Sequence, residues 1–154
     1  MIKIELIKNL RTNATKADFN FLAKKYYKED KQNAEKFLKG KKGEICVVLC
    51  DDNEIKEYNN KFRNKNVATD VLSFVYIDKI YDNKNKHKST NLGDILISID
   101  TAKRQAKTQK ISLKYEVMNL FTHGMLHIFG YDHNNDEEEA LMEEVKEKVL
   151  KYLK

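Results

Sequence analysis

The sequence predicts an α+β fold built around a mixed, mostly parallel sheet of four strands. In residues 1–100, segments with strand-like alternation are separated by segments with helical periodicity, whereas residues 101–154 are predominantly helical. No internal repeat and no linker-like stretch divides the chain, and 154 residues are typical of one domain. We therefore expect residues 1–154 to fold as a single domain.

The predicted strands are residues 2–7, 44–50, 71–77 and 92–99. The first alternates polar and apolar residues, and the second is mostly apolar and β-branched, which is typical of an interior strand. Cys46 and Cys50 lie on one face of the second strand, about 13 Å apart at the usual rise per residue, which is too far for a disulfide between them. We expect two buried free thiols in a reducing compartment.

Apolar periodicity predicts five helices, at residues 16–38, 52–61, 101–108, 113–129 and 136–154. Asp51, Asp100 and Ser112 precede three of them and can cap the first turn, and Glu54 follows Asp51 at the spacing of a capping box. The polar residues 78–91 predict a surface loop or hairpin tip, in which His87 faces solvent.

Charge is unevenly distributed along the chain. The total is +5, but residues 134–154 contain seven acidic residues and four lysines, so that residues 1–133 carry +8. Such a surface suits a polyanionic partner such as RNA, although a lysine-rich composition that only aids solubility explains the charge equally well. The acidic last helix predicts a solvated surface rather than a protein-docking face.

The location of the protein is predicted by two further observations. No apolar run approaches the roughly 20 residues that cross a bilayer. The first ten residues also lack the continuous apolar block of a signal peptide. We expect a cytoplasmic protein with no membrane partner.

The stretch HGMLHIFGYDH at residues 123–133 predicts a metal site. His123 and His127 lie one helical turn apart and therefore project from the same helix face. Gly130 can end the helix with positive φ, and the reversed chain can then bring His133 to the other two. Three neutral imidazoles suit zinc and leave a fourth position for water, as in catalytic sites, whereas satisfied core histidines are the alternative.

Neighbouring residues allow two interpretations each. Gly124 stands where proteases of this ligand spacing carry their catalytic glutamate, and its lack of a side chain predicts room for a bulky polyanion or, alternatively, close packing against a strand. Glu116 and Asp132 can each orient an imidazole or be ordinary surface acids. Met125 is assigned to the core.

These residues resemble the signature of the YbeY family of bacterial metal-dependent endoribonucleases. Two further stretches agree with the family in order and separation, NKFRNKNVATDVLSF at residues 60–74 and LGDILIS at residues 92–98, so that the resemblance covers residues 44–145. It implies a single α+β domain for residues 1–154, one Zn²⁺ per chain held by His123, His127 and His133, and a catalytic role for His123 as a ligand.

The resemblance also implies roles for residues outside the histidine motif. The functional arginine of the family falls on Arg63, which can bind phosphate oxygens through its planar fork, unless it only pairs with Asp70. Asp70 and Asp94 are expected to support loops through side-chain to backbone hydrogen bonds. Ala68 and Val75 replace prolines that are usual in the family, which predicts a slightly looser loop.

The function implied is a single-strand-specific endoribonuclease. It would act in 3′-end maturation of small-subunit (16S) ribosomal RNA and in ribosome quality control, with single-stranded RNA, ribosomal RNA and the small ribosomal subunit as partners and no role for DNA. Two alternatives remain from the residues themselves. One is a non-catalytic ribosome assembly factor with a structural zinc, and the other is a metalloprotease-like hydrolase.

Overall fold

The structure, a computed structural model, describes residues 1–76 and 89–153. Its strands are β1 (Ile2–Lys8), β2 (Lys42–Cys50), β3 (Val71–Val75) and β4 (Ser89–Ser98). Its helices are α1 (Lys16–Glu29), α2 (Lys31–Leu38), α3 (Asp52–Arg63), α4 (Ile99–Gln109), α5 (Leu113–Ile128) and α6 (Asp136–Leu150), with a 3-10 turn at Lys151–Leu153. In the described part of the chain, no helix has the length and apolar character that a membrane span requires.

The strands form one mixed sheet in the order β1-β2-β4-β3. β1, β2 and β4 are parallel, and β3 pairs antiparallel with β4 at one edge. The α+β class and the mostly parallel four-stranded sheet are therefore confirmed. Parallel neighbours need crossover connections, and here helices supply them, as the alternation of patterns in the first hundred residues predicted.

The main core lies between one face of the sheet and the helices α1 and α5. Ile45, Val47 and Leu49 of β2 point into it with no exposed surface, and Phe19 of α1 packs edge-on against Phe121 of α5 with ring centroids 5.0 Å apart. A smaller cluster on the opposite face packs under α3 and consists of Cys50, Ile55, Leu72 and Leu96. Because both faces are covered, β2 is apolar along most of its length.

The predicted helix at residues 16–38 is wrong in one respect, because it is two helices. Asp30, with φ −135° and ψ 44°, leaves the helical region, and its backbone N–H donates to Tyr26 as the last bond of α1. The Asp30 carboxylate accepts a hydrogen bond from the Tyr131 hydroxyl. This long-range contact accompanies the break, and local periodicity gives no sign of it.

Asp51 and Ser112 cap α3 and α5 as predicted, but the cap of α4 is not as predicted. The Glu54 carboxylate accepts from the Asn9 side chain and does not complete a capping box. The side chains of Asp51 and Ser112 accept hydrogen bonds from backbone N–H groups in the first turns of α3 and α5. α4 instead starts two residues earlier than predicted, at Ile99, and is capped by Ser98. The Asp100 carboxylate accepts from the backbone N–H of Asp52 and so supports the first turn of α3, a different helix.

Smaller differences concern the ends of elements and the thiols. Cys50 is buried as predicted, but Cys46 is partly exposed because it faces away from the main core. α6 ends at Leu150, before the short 3-10 turn. Of the predicted loop 78–91, the last three residues belong to β4, and the rest, with His87, lies outside the described residues.

Candidate metal centre

Helix α5 carries the first two histidines into a half-buried position. Ten of its sixteen residues are buried, so the helix is held on most of its surface by the core. His123 and His127 are four residues apart on the remaining polar stripe, with ring centroids 4.7 Å apart and a distance of 3.1 Å between the two Nε2 atoms. The i,i+4 spacing on a rigid helix therefore sets the separation of the two rings.

The third histidine is brought back by the turn that ends α5. Gly130 has φ +87°, its N–H donates to the His127 carbonyl at 3.1 Å, and the Tyr131 N–H donates to the Leu126 carbonyl at 3.0 Å. These two bonds are the pair of a Schellman motif. The reversed chain places the His133 ring 5.3 Å from the His127 ring and 6.0 Å from the His123 ring.

The ring of His127 is oriented by the same turn. Its Nδ1 lies 2.9 Å from the Tyr131 carbonyl oxygen, and a carbonyl can only accept, so Nδ1 carries the hydrogen. Nε2 of the neutral ring is then left with a lone pair that faces His123. A backbone carbonyl commonly orients metal-ligating histidines in this way. Tyr131 was not singled out from the sequence, although it lies within the quoted motif.

Burial favours the neutral form of the helix histidines. It lowers the pKa of His123 to about 4, and the charges of His127 and Lys146 act in the same direction. Burial also lowers the pKa of His127, partly offset by the hydrogen bond to Tyr131. Both rings are therefore neutral at pH 7, the form in which an imidazole binds a metal.

The three histidines could hold a metal ion. One ligand atom from each lies within 4.8 Å of the others, and the burial runs from partly buried for the helix residues to exposed for His133. Nitrogens bound to a tetrahedral zinc at 2.0–2.1 Å are about 3.3 Å apart, close to the 3.1 Å between the two Nε2 atoms. The donor set thus fits zinc. The alternative of satisfied core histidines does not fit, because His133 is exposed.

The histidines line a cleft of about 510 Å³ between the turn after α5 and the edge strand β3. Its other walls are Arg63, Asp70, Val71, Leu72, Ser73, Val75, Gly130, Tyr131 and Asp132. The site therefore combines the ends of three elements that are distant in sequence: α3, β3 and α5.

Arg63 lies at the end of α3 and points along β3. Its Nη2 donates to the Ser73 carbonyl oxygen at 2.7 Å, and its Cζ lies 5.6 Å from the centre of the Phe74 ring. No ion pair joins Arg63 to Asp70, two residues that the structure describes, so that alternative is wrong. The guanidinium is held at the cleft while staying exposed, and its remaining donors can reach a phosphate.

Asp70 makes the expected side-chain to backbone hydrogen bond at the wall of the cleft. It accepts a bond from the backbone N–H of Val71 at 2.8 Å and one from the Gln105 side chain at 3.1 Å. Asp94 differs from its expectation, because it accepts from the Tyr76 hydroxyl at 2.7 Å instead of a backbone group.

The Asp132 carboxylate binds the backbone of His133 and not its imidazole. It accepts from the His133 N–H at 2.8 Å and from the Asn134 side chain at 3.0 Å, and the first of these bonds is the main reason that its pKa is lowered. Glu116 fits neither interpretation, since it is buried and accepts a bond from the Asn119 side chain at 3.3 Å.

Gly124 packs against the sheet. A Cβ atom at this position would lie 2.9 Å from Cγ2 of Ile95 in β4, closer than real contacts allow. The residue is buried and does not border the cleft. The preferred explanation, room for a polyanion, is therefore wrong, and close packing is correct. Met125 is buried in the core, as assigned.

The cleft therefore brings three histidines that could hold a metal ion together with an exposed arginine, a residue whose guanidinium suits phosphate oxygens. A model of the family described as endoribonuclease YbeY matches residues 6–154. The endoribonuclease YbeY of Pelagibacter ubique is 33% identical over 100% of this chain and 97% of its own length, and that of Persephonella marina is 37% identical over 85% and 86%. The chain belongs to the endoribonuclease YbeY family, and endoribonucleases are hydrolases.

The fold has a counterpart among solved structures. The solution structure of TM1509 from Thermotoga maritima superposes with a TM-score of 0.52, covering 99% of this chain and 91% of that chain at 24% identity. At this identity, the similarity concerns the fold alone.

Proposed function

We propose that this chain is a zinc-dependent endoribonuclease that cleaves single-stranded RNA in the cytoplasm. Its role would be 3′-end maturation of small-subunit ribosomal RNA and ribosome quality control, with the small ribosomal subunit as partner. The observation that carries the proposal is the shared cleft, which His123, His127 and His133 line together with Arg63. Family membership supplies the class of reaction.

The chain's own residues divide the work in this proposal. His123, His127 and His133 would hold the zinc, which supplies a Lewis acid and lowers the pKa of water from 15.7 to about 7. Arg63 binds non-bridging phosphate oxygens and offsets the negative charge that grows on the phosphate during cleavage.

Two further contacts support the geometry. The Tyr131 carbonyl accepts from Nδ1 of His127 and so keeps the Nε2 lone pair directed toward His123. The Ser73 carbonyl fixes one edge of the Arg63 guanidinium. Both depend on backbone atoms, so the site needs the fold more than it needs particular neighbouring side chains.

The protease-like alternative has little support. It requires a carboxylate that can take a proton from water near the histidines. Asp70 and Asp132 border the cleft, but both carboxylates already accept hydrogen bonds from backbone N–H groups. The bond from the His133 N–H lowers the pKa of Asp132, which weakens that carboxylate as a base.

The proposal is tested by measuring zinc content and RNA cleavage in the same preparations. Wild-type protein is expected to contain one zinc per chain and to cut a single-stranded RNA much faster than a duplex of the same sequence. His127→Ala is expected to lose both zinc and cleavage. His87→Ala, the histidine outside the motif, is the control for zinc content. Cleavage by zinc-free His127→Ala protein, or equal cutting of the duplex, would contradict the proposal.

Arg63→Ala separates metal binding from phosphate binding in that experiment. It is expected to keep its zinc, because the guanidinium is hydrogen-bonded to the Ser73 carbonyl and not to His123, His127 or His133, and to lose roughly 100- to 1000-fold in kcat. Arg104→Ala is the matched control, since Arg104 of α4 is also exposed but pairs with Asp52 of α3. Equal cleavage by the two arginine variants would remove Arg63 from the mechanism.

A further inference from the structure

Two exposed aromatic residues lie side by side on α3. Tyr58 and Phe62 are 39% and 56% exposed, and they are four residues apart on one face of the helix. Their rings are nearly parallel, at 14°, with centroids 6.0 Å apart. Exposed apolar groups that lie together commonly mark an interaction surface. We refer to Tyr58, Phe62 and the adjoining Phe74 as the aromatic patch.

The aromatic patch meets the metal cleft at Arg63, which lines the cleft and lies over the Phe74 ring. The rings of Phe62 and Phe74 are 5.4 Å apart, and the Phe74 ring lies 5.6 Å from the guanidinium carbon of Arg63. Ser73 and Val75 line the cleft, and side chains alternate along the edge strand β3, so Phe74 lies on its other face and Arg63 is the link between the two. A strand whose phosphate is bound at Arg63 would therefore place adjoining nucleotides over Phe62 and Tyr58.

The charge around the aromatic patch fits a polyanion. Residues 58–67 contain Lys61, Arg63 and Lys65 and no acidic residue. The Lys61 ammonium lies 5.2 Å from the centre of the Phe62 ring. The core of a protein–protein interface is typically poor in charged residues, whereas aromatic rings among lysines and arginines are the usual surface for single-stranded nucleic acid.

We propose that Phe62 and Tyr58 form a stacking platform for unpaired bases next to the scissile phosphate, an inference that rests on the proposed ribonuclease function. An unpaired base can turn its face onto an aromatic ring, whereas a base inside a duplex is already stacked and paired. The platform therefore gives a physical reason for a preference for single strands, which a metal and an arginine alone do not provide.

Phe62→Ala in the zinc-loaded full chain tests the platform. Stopped-flow anisotropy reads the binding of a labelled single-stranded oligoribonucleotide before it is cut, and steady-state cleavage gives kcat and KM. Binding is expected to weaken roughly 5- to 100-fold, the range for loss of one stacked base, with a matching rise in KM and little change in kcat. Phe62→Trp is expected to retain binding.

Two variants control for general effects of the substitution. Phe21→Ala removes another aromatic ring that is 41% exposed and has a lysine 5.0 Å from its centre, but on α1, and is expected to bind like wild type. Phe62→Leu keeps an apolar side chain without a π-face and is expected to behave like Phe62→Ala. Circular dichroism checks that each variant is folded.

Salt dependence and an abasic strand identify the interaction. Log affinity falls with log salt, and Phe62→Ala is expected to leave the slope of this fall unchanged. Lys61→Ala is expected to reduce the magnitude of the slope by about one, because one phosphate contact is lost. A strand lacking the base that stacks is expected to bind wild type and Phe62→Ala equally.

The outcomes distinguish this inference from the proposed function. Cleavage by wild type together with equal binding by Phe62→Ala and Phe21→Ala would overturn the platform and leave the ribonuclease intact. Binding that depends on Phe62 without any cleavage would support the platform and contradict the ribonuclease function. Self-association of the chain that is lost in Phe62→Ala would show that a second copy covers the aromatic patch, and would also overturn the inference.

Discussion

At the scale of single residues, His127 is held by contacts on both sides of its ring. Nδ1 donates to the Tyr131 carbonyl, and Nε2 lies 3.1 Å from Nε2 of His123. The Tyr131 hydroxyl in turn donates to Asp30 at the junction of α1 and α2. The ring of His127 is thus connected through one tyrosine to the junction of α1 and α2, which limits how far the turn can move.

Gly124 offers a test of packing behind the metal site. Gly124→Ala places a methyl group against Ile95, and overpacking of this kind costs about 1–3 kcal/mol, partly offset by roughly 1 kcal/mol from the better helix propensity of alanine. We expect the free energy of unfolding to fall by about 0–2 kcal/mol in urea titrations.

The contact with Ile95 can be isolated by a double-mutant cycle. Ile95→Ala alone is expected to cost about 2–5 kcal/mol, because it leaves a cavity. In the double variant the new methyl group occupies part of that cavity, so the combined loss should be smaller than the sum by more than about 0.5 kcal/mol. Simple additivity of the two losses would show that the residues do not interact.

At the scale of elements, the turn after α5 decides where the third histidine lies. The positive φ at Gly130 and the two hydrogen bonds of the Schellman motif are properties of the helix end. They were predictable from a glycine three residues past His127. The close approach of the Phe37 ring to Gly130 was not predictable, because it comes from α2.

Gly130→Ala is expected to disturb this turn and the metal affinity together. Positive φ costs an alanine about 1–2 kcal/mol, and its Cβ would lie 2.9 Å from Cζ of Phe37, whose ring is packed against Phe129. We expect a larger loss of stability than from φ alone, together with weaker zinc binding in a competition assay with a chromogenic chelator.

Gly40→Ala is the matched control for that prediction. Gly40 has φ +74° and nothing within 4 Å of an added Cβ, so it isolates the cost of the backbone conformation. It should lose about 1–2 kcal/mol and keep the zinc affinity of the wild type. Equal effects of the two substitutions on zinc binding would show that the turn does not position His133.

At the scale of the whole molecule, the metal cleft lies outside the main core. None of the three histidines belongs to the described core cluster, which is formed by the sheet, α1, α5 and parts of α6. His133 is exposed, and the two helix histidines are only partly buried. The fold therefore has its own hydrophobic basis, independent of any ion.

Removal of zinc by a chelator is expected to abolish cleavage and leave the protein folded. A ligand at 100 times its Kd contributes about 2.7 kcal/mol, which is less than the 5–15 kcal/mol typical of a domain. We expect an unchanged far-UV circular dichroism spectrum at 25 °C and a lower Tm, with full recovery on adding zinc back. Unfolding of the zinc-free protein would favour the assembly factor with a structural zinc.

The sequence by itself determined the sheet, most of the helices and the identity of the clustered histidines. These features depend on local periodicity, on caps such as Ser112 and on the spacing of residues along one helix, and such interactions are encoded within a few neighbouring positions. The resemblance of three short stretches to one family added the reaction class, which the comparisons then confirmed for residues 6–154.

Only the tertiary structure decided which residues meet across the chain. Four contacts join positions on different elements. They are the bond from Tyr131 to Asp30, the packing of Gly124 on Ile95, the bond from Arg63 to Ser73 and the ring contact of Phe62 with Phe74. Their distances follow from how helices pack on a twisted sheet, which depends on all contacts at once and leaves no local pattern in the sequence.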